Sequence, residues 1–377
     1  MRYWSINLFS VFGIRLEVHA TFLILVGLFA WTGWALDGVG AMFWSVLFIL
    51  AVFGCVVLHE LGHSLVAQRY GIEVIRILLL PIGGMAQFQS VPREARKEVI
   101  IALAGPLVNF ALAVPLFALG GIPREFLALS LGGYFPLVNT QTFFQALLIV
   151  NLVMGMFNLL PIFPMDGGRM FRAFLTYRLS YLKATGTAAI VSKILASAGI
   201  ALALVGLPLL GYQIAILPAL LFAFIFIAGN LEYRMVERKE TLKDLHVGHL
   251  LDSDFSTVRP DIPVGEGLRL LNEEGSRVLL LVEKGSLFGM LTRQQADILT
   301  EEQFLHTDPV GRHCERNISI LQAEWPLDLF YEMLARNKRK IFPVFQGGRL
   351  AGILDTGRLD EKLAEHGISA KRLKLPF

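Results

Sequence analysis

The sequence predicts a polytopic α-helical membrane protein: about six transmembrane helices and a membrane-associated β-hairpin, followed by a C-terminal α/β domain. Three observations predict it. Of 377 residues, 54% are hydrophobic and 17% charged, and the mean hydropathy is +0.58, whereas average chains carry about 25% charged residues. Charges are sparse up to residue 231, and "EYRMVERKETLKDL" from Glu232 opens a segment of soluble character. An internal repeat then occupies the C-terminal third. This divides the chain into a membrane domain at 1–231, a linker at 232–245 and a soluble domain at 246–377. A formal charge of +3 gives no argument for a nucleic-acid partner, and the two cysteines, Cys55 and Cys314, suggest no disulfide framework.

A membrane-crossing helix needs about 20 apolar residues. Six stretches qualify: 17–35, 41–68, 96–119, 142–161, 186–207 and 212–231. No signal-peptide pattern precedes the first, so it is expected to remain in the mature protein. Positive charge orients the spans. Arg2 and Arg15 precede span 1; Arg69, Arg76, Arg93, Arg96 and Lys97 follow span 2; Arg169, Arg172, Arg178 and Lys183 follow span 4; Arg234, Arg238 and Lys239 follow span 6. The opposite loops hold only Arg124. Both termini and the soluble domain are therefore expected in the cytoplasm. Between spans 2 and 3, "IEVIRILLLPIGGMAQFQS" (72–90) is too short for two helices and reads as two strands around a glycine turn. The mixed loop 121–141 is expected outside, at the interface.

Span 2 contains "VVLHELGHSLVAQ" (56–68). Ionisable side chains at membrane depth are costly and mark function. His59 and His63 lie four apart, on one helix face, a spacing that lets two imidazoles hold one metal ion. Glu60 then lies beside the ion, placed to take a proton from an attacking water. Zinc suits nitrogen and carboxylate donors with one position open, and one ion per chain is expected. Two histidines leave the ion short of a protein ligand. Asp166, in "NLLPIFPMDGGR" (158–169), is the candidate: Pro161, Pro164, Gly167 and Gly168 forbid a regular helix there, so its carboxylate can turn toward span 2 at the same cytoplasmic depth. The competing reading makes Asp166 a helix cap with Arg169 as its partner. Cys55, one turn before His59, reads as a small core residue, and Asn109 as an interhelical hydrogen-bonding group.

H-E-x-x-H in a membrane helix, followed by N-x-x-P-x-P-x-x-D-G-G in a later one, resembles the site-2 protease family of intramembrane zinc metalloproteases. The resemblance covers most of residues 10–232. "AGPLVN" (104–109) resembles the family's G-P-x-x-N helix, "PIGGMAQF" (81–88) its glycine-containing membrane hairpin, and His19 in "VHATFLI" a histidine of its first span. The resemblance implies zinc ligands at His59, His63 and Asp166, the general base at Glu60, and an asparagine near substrate or developing oxyanion at Asn158. His19 either lines the cavity, approaches the metal or packs between helices, and Asn109 is a second candidate for the cavity lining. It also gives the hairpin a purpose: a substrate helix must unwind before hydrolysis, and the strand Gly83, Gly84, Met85, Ala86, Gln87 and Phe88 could pair with it by β-addition.

The repeat sets "IPVGEGLRLLNEEGSRVLLLVEKGSLFGMLT" (262–292) against "WPLDLFYEMLARNKRKIFPVFQGGRLAGIL" (325–354). Each copy has an amphipathic helix, a strand, a glycine turn and a second strand. This resembles a tandem pair of CBS domains, and implies a regulatory module that can form a homodimer and bind an adenine nucleotide. The ribose-binding pattern G-x-x-T-x-x-D is incomplete, with Gln295 at the acidic position of the first copy, and Asp355 and Arg358 at the threonine and acidic positions of the second. Nucleotide binding is thus the weaker implication.

The resulting expectation is an intramembrane zinc endopeptidase of a prokaryotic cell membrane, in contact with lipid. It would cut a transmembrane protein substrate, intact or already trimmed, near the cytoplasmic face, in regulated intramembrane proteolysis. The rival is a CBS-gated transporter or channel using a zinc or proton-relay site. Transporters often show repeated halves, and none is visible within 1–231.

Overall fold

The computed structural model describes residues 4–89, 93–123, 138–209, 215–273, 275–301, 307–334 and 339–368. Contacts divide the chain into two units, Met1–Tyr233 and Arg234–Phe377.

The first unit opens with two strands, the second of which takes residues 17–19 of the expected span 1. β1 (Ser5–Val11) and β2 (Ile14–His19) pair antiparallel around a turn at Phe12 and Gly13. Ile14, Leu16 and Val18 alternate with Arg15 and Glu17, and a period of two specifies a strand. Glu17 is nonetheless buried, because Arg76 donates to its carboxylate at 2.6 Å and the Ser5 hydroxyl at 3.0 Å.

Helix α1 (Ala20–Arg69) is 50 residues long but is interrupted at Asp37 and Gly38, where Gly38 adopts φ +70°. The chain turns back on itself there. The Phe22 and Phe53 rings meet at 4.5 Å, and a Cβ on Gly33 would lie 2.7 Å from the Ala41 carbonyl oxygen. Two apolar arms, 20–36 and 39–69, thus pack through a site where only glycine fits.

After α1 come β3 (Val74–Leu80) and β4 (Gly83–Phe88), paired antiparallel. The sheet order is β1-β2-β3-β4, with β2 and β3 parallel, so β4 is an edge strand. The sheet packs its apolar residues, among them Ile14, Leu16, Val74, Ile77 and Leu79, against Phe53, Val56 and Ala67 of α1 and Ile101.

The remaining helices are α2 (Ala95–Gly120), α3 (Phe143–Asn158), α4 (Asp166–Leu175), α5 (Tyr181–Ala201) and α6 (Ile216–Leu242). A π-turn at Leu202–Gly206 carries α5 on to Leu209. Among the described residues, four helices are long and apolar enough to cross a membrane: Ala20–Arg69, Ala95–Gly120, Tyr181–Leu209 and Ile216–Leu242; Phe143–Asn158 is apolar but shorter. Residues 124–137 of the loop expected at 121–141 lie outside the described residues. The segment expected as a linker, 232–245, is helical through Leu242, since "EYRMVERKETL" holds good helix formers and neither glycine nor proline.

The second unit contains the repeat as structure. β5 (Phe255–Val258), α7 (Val264–Glu273), β6 (Val278–Glu283), β7 (Ser286–Thr292) and α8 (Arg293–Glu301) form one copy. β8 (Leu321–Gln322), α9 (Leu327–Leu334), β9 (Ile341–Gln346), β10 (Arg349–Asp355) and α10 (Leu359–Glu365) form the other. In each, the first strand runs parallel to the second, and the second is antiparallel to the third. Leu280 and Met290 of one copy pack with Ile353 of the other, and Arg277 reaches Asp355 at 2.6 Å.

The Gly33 contact is testable. Gly33→Val forces the α1 arms apart, and overpacking costs about 1–3 kcal/mol. Thermal unfolding in detergent should show a lower midpoint than wild type, whereas Gly27→Val, where a Cβ meets nothing within 4 Å, should unfold like wild type.

Candidate metal centre

His59 and His63 occupy the second arm of α1, one turn apart, and both are buried. Their Nε2 atoms lie 3.1 Å from each other. Asp166 Oδ2 lies 3.4 Å from His59 Nε2 and 3.1 Å from His63 Nε2. Among the described residues, these three side chains form the one His/Cys/Asp/Glu group able to hold a metal ion.

The partners of the outer ring nitrogens decide what the inner ones are. His63 Nδ1 faces the Ile101 carbonyl oxygen at 2.7 Å, an atom that only accepts, so Nδ1 carries the proton. His59 Nδ1 faces Asn109 Oδ1 at 2.5 Å, while the Asn109 amide donates to Asn151 Oδ1 at 3.0 Å. Asn109 thus presents its oxygen, and His59 Nδ1 also donates. Both Nε2 atoms are left as bare lone pairs facing each other and a carboxylate oxygen. Three acceptors converging in a buried space call for a cation among them. The spacings fit zinc: ligand atoms ~2.0–2.1 Å from a tetrahedral ion stand roughly 3.3 Å apart.

Helix α2 makes room for this. A Cβ on Gly105 would fall 2.3 Å from His63 Nε2 and 2.7 Å from His59 Nε2. Within two turns α2 therefore supplies a carbonyl for one imidazole, an empty space for both, and an amide for the other.

Asp166 arrives differently from the expectation. The glycines after it do not end a broken segment; they lie in the first turn of α4, which Asp166 opens. Residues 159–163 fold back onto that turn, and a Cβ on Gly167 would lie 2.2 Å from the Leu160 carbonyl oxygen. The glycines allow this close return, and the helix N-terminus favours the carboxylate. Arg169 is not its partner: the carboxylate faces the histidines.

Glu60 is not a member of the metal group. Its Oε2 accepts the Ala86 backbone N–H of β4 at 3.1 Å, and its Cγ would meet a Cβ on Gly84 at 2.7 Å. The strand 83–88 thus lies against Glu60. His19 caps α1, with Nδ1 2.8 Å from the Thr21 hydroxyl and accepting from the Thr21 N–H, and it is not a member of the metal group. Asn158 ends α3 and is half-buried. Asn109 supports His59 from behind. The sequence analysis missed Asn151, fully buried in α3, which also donates to Leu147 O at 2.9 Å and lies 3.3 Å from Cys55 Sγ. Its signal was an asparagine within "LLIVNLVMG", a run otherwise apolar.

The family model "Peptidase family M50" matches residues 47–206, and that of the CBS domain matches 247–295. Zinc metalloprotease MJ0392 of Methanocaldococcus jannaschii is 37% identical over 355 residues, 93% of this chain and 94% of its own. Rip3 of Mycobacterium tuberculosis is 27% identical over 377 residues, 94% of each chain. Among solved structures, the site-2 protease from Methanocaldococcus jannaschii shares 36% identity with a TM-score of 0.43, over 61% of this chain and 95% of that one. The match to MJ0392 runs through nearly the whole of both chains, and the M50 match includes the histidine helix and Asp166. The chain belongs to peptidase family M50, the site-2 proteases, and is a zinc metalloprotease with a C-terminal CBS domain.

Proposed function

We propose that the chain is an intramembrane endopeptidase in which His59, His63 and Asp166 hold zinc and Glu60 is the general base. The observation that carries this is the convergence of two bare imidazole nitrogens and one carboxylate oxygen, 3.1–3.4 Å apart, beside a glutamate on the same helix. Zinc held there supplies a Lewis acid and brings the pKa of water down to about 7. Glu60 takes the proton from the attacking water and passes it to the leaving amine. Asn109 and the Ile101 carbonyl keep the imidazoles oriented. Asn158, at the end of α3, is the donor for the developing oxyanion. Membership of a protease family removes support from the transporter reading.

The edge of β4 receives the substrate. An unwound segment adding to Gly83–Phe88 would be held through main-chain hydrogen bonds. Because Glu60 takes the Ala86 N–H, that pairing brings the scissile region to the base.

We place six crossings in the bilayer: the two arms of α1, then α2, α3, α5 and α6. The Lys and Arg residues flanking them put both termini in the cytoplasm of a multi-pass plasma-membrane protein. The cut then falls near the cytoplasmic face and releases a fragment there, as regulated intramembrane proteolysis requires. Residues 1–231 carry the chemistry, and 246–377 form a regulatory CBS pair that joins two chains. In that pair, a cavity of about 680 Å³ is lined by Arg277, Thr292, Arg293, Arg339, Lys340 and Asp355. Gln295 folds back to accept from the Thr292 N–H and hydroxyl at 2.9 and 3.0 Å. Gln295 stands where the first copy's ribose-binding carboxylate would be, and Asp355 is engaged by Arg277 at 2.6 Å, so the phosphates of an adenine nucleotide and these cations would supply the grip.

Three variants test the site. Asp166→Ala should lose the zinc, about one per chain, that purified wild type carries, by metal analysis; a full complement in the variant would remove Asp166 from the ligand set. Glu60→Gln should keep zinc and lose peptide hydrolysis by about 10²–10⁴-fold, measured on a fusion protein carrying one transmembrane segment. Ala86→Pro removes the one N–H of residue 86, which holds Glu60 at the edge of β4, so cleavage should fall far more than zinc content. Equal losses of the two would exclude the strand from substrate handling.

A further inference from the structure

Arg172 lies six residues after Asp166 on α4 and is 1% exposed. Its Nε donates to Glu98 Oε1 at 3.0 Å, and a terminal nitrogen donates to the same oxygen. The other terminal nitrogen donates to Glu232 Oε1 at 3.0 Å. The guanidinium carbon stands over the Phe163 ring at 5.2 Å and the Tyr181 ring at 5.0 Å. One cation thereby touches α2 through Glu98, α6 through Glu232, the start of α5 through Tyr181, and the segment leading into Asp166 through Phe163. Phe163 is itself fixed: it is fully buried, and its N–H donates to Ser192 Oγ at 2.7 Å.

Both flanks of Asp166 are therefore held by a single side chain. Its main anchor, Glu98, sits one turn before Ile101 on α2, the helix that also carries Gly105 and Asn109. The element that orients the imidazoles is thus the element that fixes α4.

The pair is costly as a source of stability alone. Glu98 Oε2 is buried with no hydrogen-bond partner among the described residues. Buried ion pairs often match apolar replacements in stability at best, whereas loss of one partner is severe. What a planar guanidinium between two rings and two carboxylates supplies is direction.

We propose that Arg172 is the positioning residue for Asp166: it clasps α4 to α2 so that the carboxylate meets His59 and His63 at zinc-binding distance. This rests on Asp166 being a zinc ligand.

The test is a chelator competition for zinc on detergent-purified full-length chain, with the visible spectrum of the cobalt-substituted protein as second readout. Wild type, Asp166→Ala, Arg172→Lys, Arg172→Met and the double variant Glu98→Met/Arg172→Met are compared in their folded, monodisperse fractions. The double variant leaves no lone charge from the pair and keeps the test open should Arg172→Met fail to fold. Loss of a group hydrogen-bonded to a ligand weakens metal affinity about 10–100-fold; Arg172 acts one step further out, through the placement of α4, so a loss of about 10-fold is expected in both Arg172→Met forms. Their cobalt spectra should move toward that of Asp166→Ala, and Arg172→Lys, which keeps the charge without the fork, should fall between. A folded Arg172→Met or double variant with wild-type affinity and spectrum, but a lower melting temperature, would make Arg172 structural only and overturn the proposal. Wild-type affinity in Asp166→Ala would instead overturn the ligand assignment beneath it.

Discussion

Two imidazole nitrogens 3.1 Å apart, with a carboxylate oxygen equally near, repel one another unless a cation lies among them. The first unit is arranged around that requirement. Protons that could have relieved it are held on the far sides of the rings by Asn109 and Ile101. Helix α2 comes close enough to do this because Gly105 has no side chain. Asn151 in turn fixes which way the Asn109 amide faces. Asn151, Asn109 and His59 form a connected chain from α3 through α2 to α1, each with a partner, which is how such groups persist in an apolar interior.

A second arrangement sits at right angles in purpose. Glu60 belongs to the same helix turn as His59, yet its carboxylate is held by a backbone N–H of β4. His59 and Glu60, adjacent in sequence, thus take different partners: His59 the other side chains of the metal group, Glu60 the strand. The edge of a four-stranded sheet, ordinarily a liability because its backbone groups lack partners, here gives one backbone N–H to Glu60.

Much of this was legible in the sequence, for reasons that differ by element. His59 and His63 stood out because a helical period of four placed two costly residues on one face of an oily run. Asp166 stood out as a carboxylate among prolines and glycines after such a run, although those glycines open a helix rather than break one. The 72–90 hairpin was readable from its β-branched residues and its turn. By contrast, β1 and β2 were hidden, because Glu17 looks like the polar edge of a span until Arg76, far along the chain, covers it. Asn151, and the contact of Arg172 with Glu98, were hidden for the same reason: each acquires meaning only through a residue that no local pattern names. The helix through 232–242 was hidden because composition changes there while helix propensity does not. In the second unit the two copies share one strand topology despite sparse identity, since what the repeat preserves is the alternation of apolar strand and amphipathic helix.

The parallel pairing of β2 with β3 has a consequence for how the protein is made. Arg15 pairs with Arg76, and between them lies the whole of the α1 hairpin. A ribosome releases β2 long before β3 exists, so β2 waits with only β1 beside it while both arms of α1 enter the bilayer. Contacts that distant in sequence form late. Until they do, the β3–β4 hairpin stands apart from β1 and β2. The histidines arrive in the membrane early, but Asp166 is synthesised later still. The three side chains of the metal group can therefore converge only after Asp166 has been made.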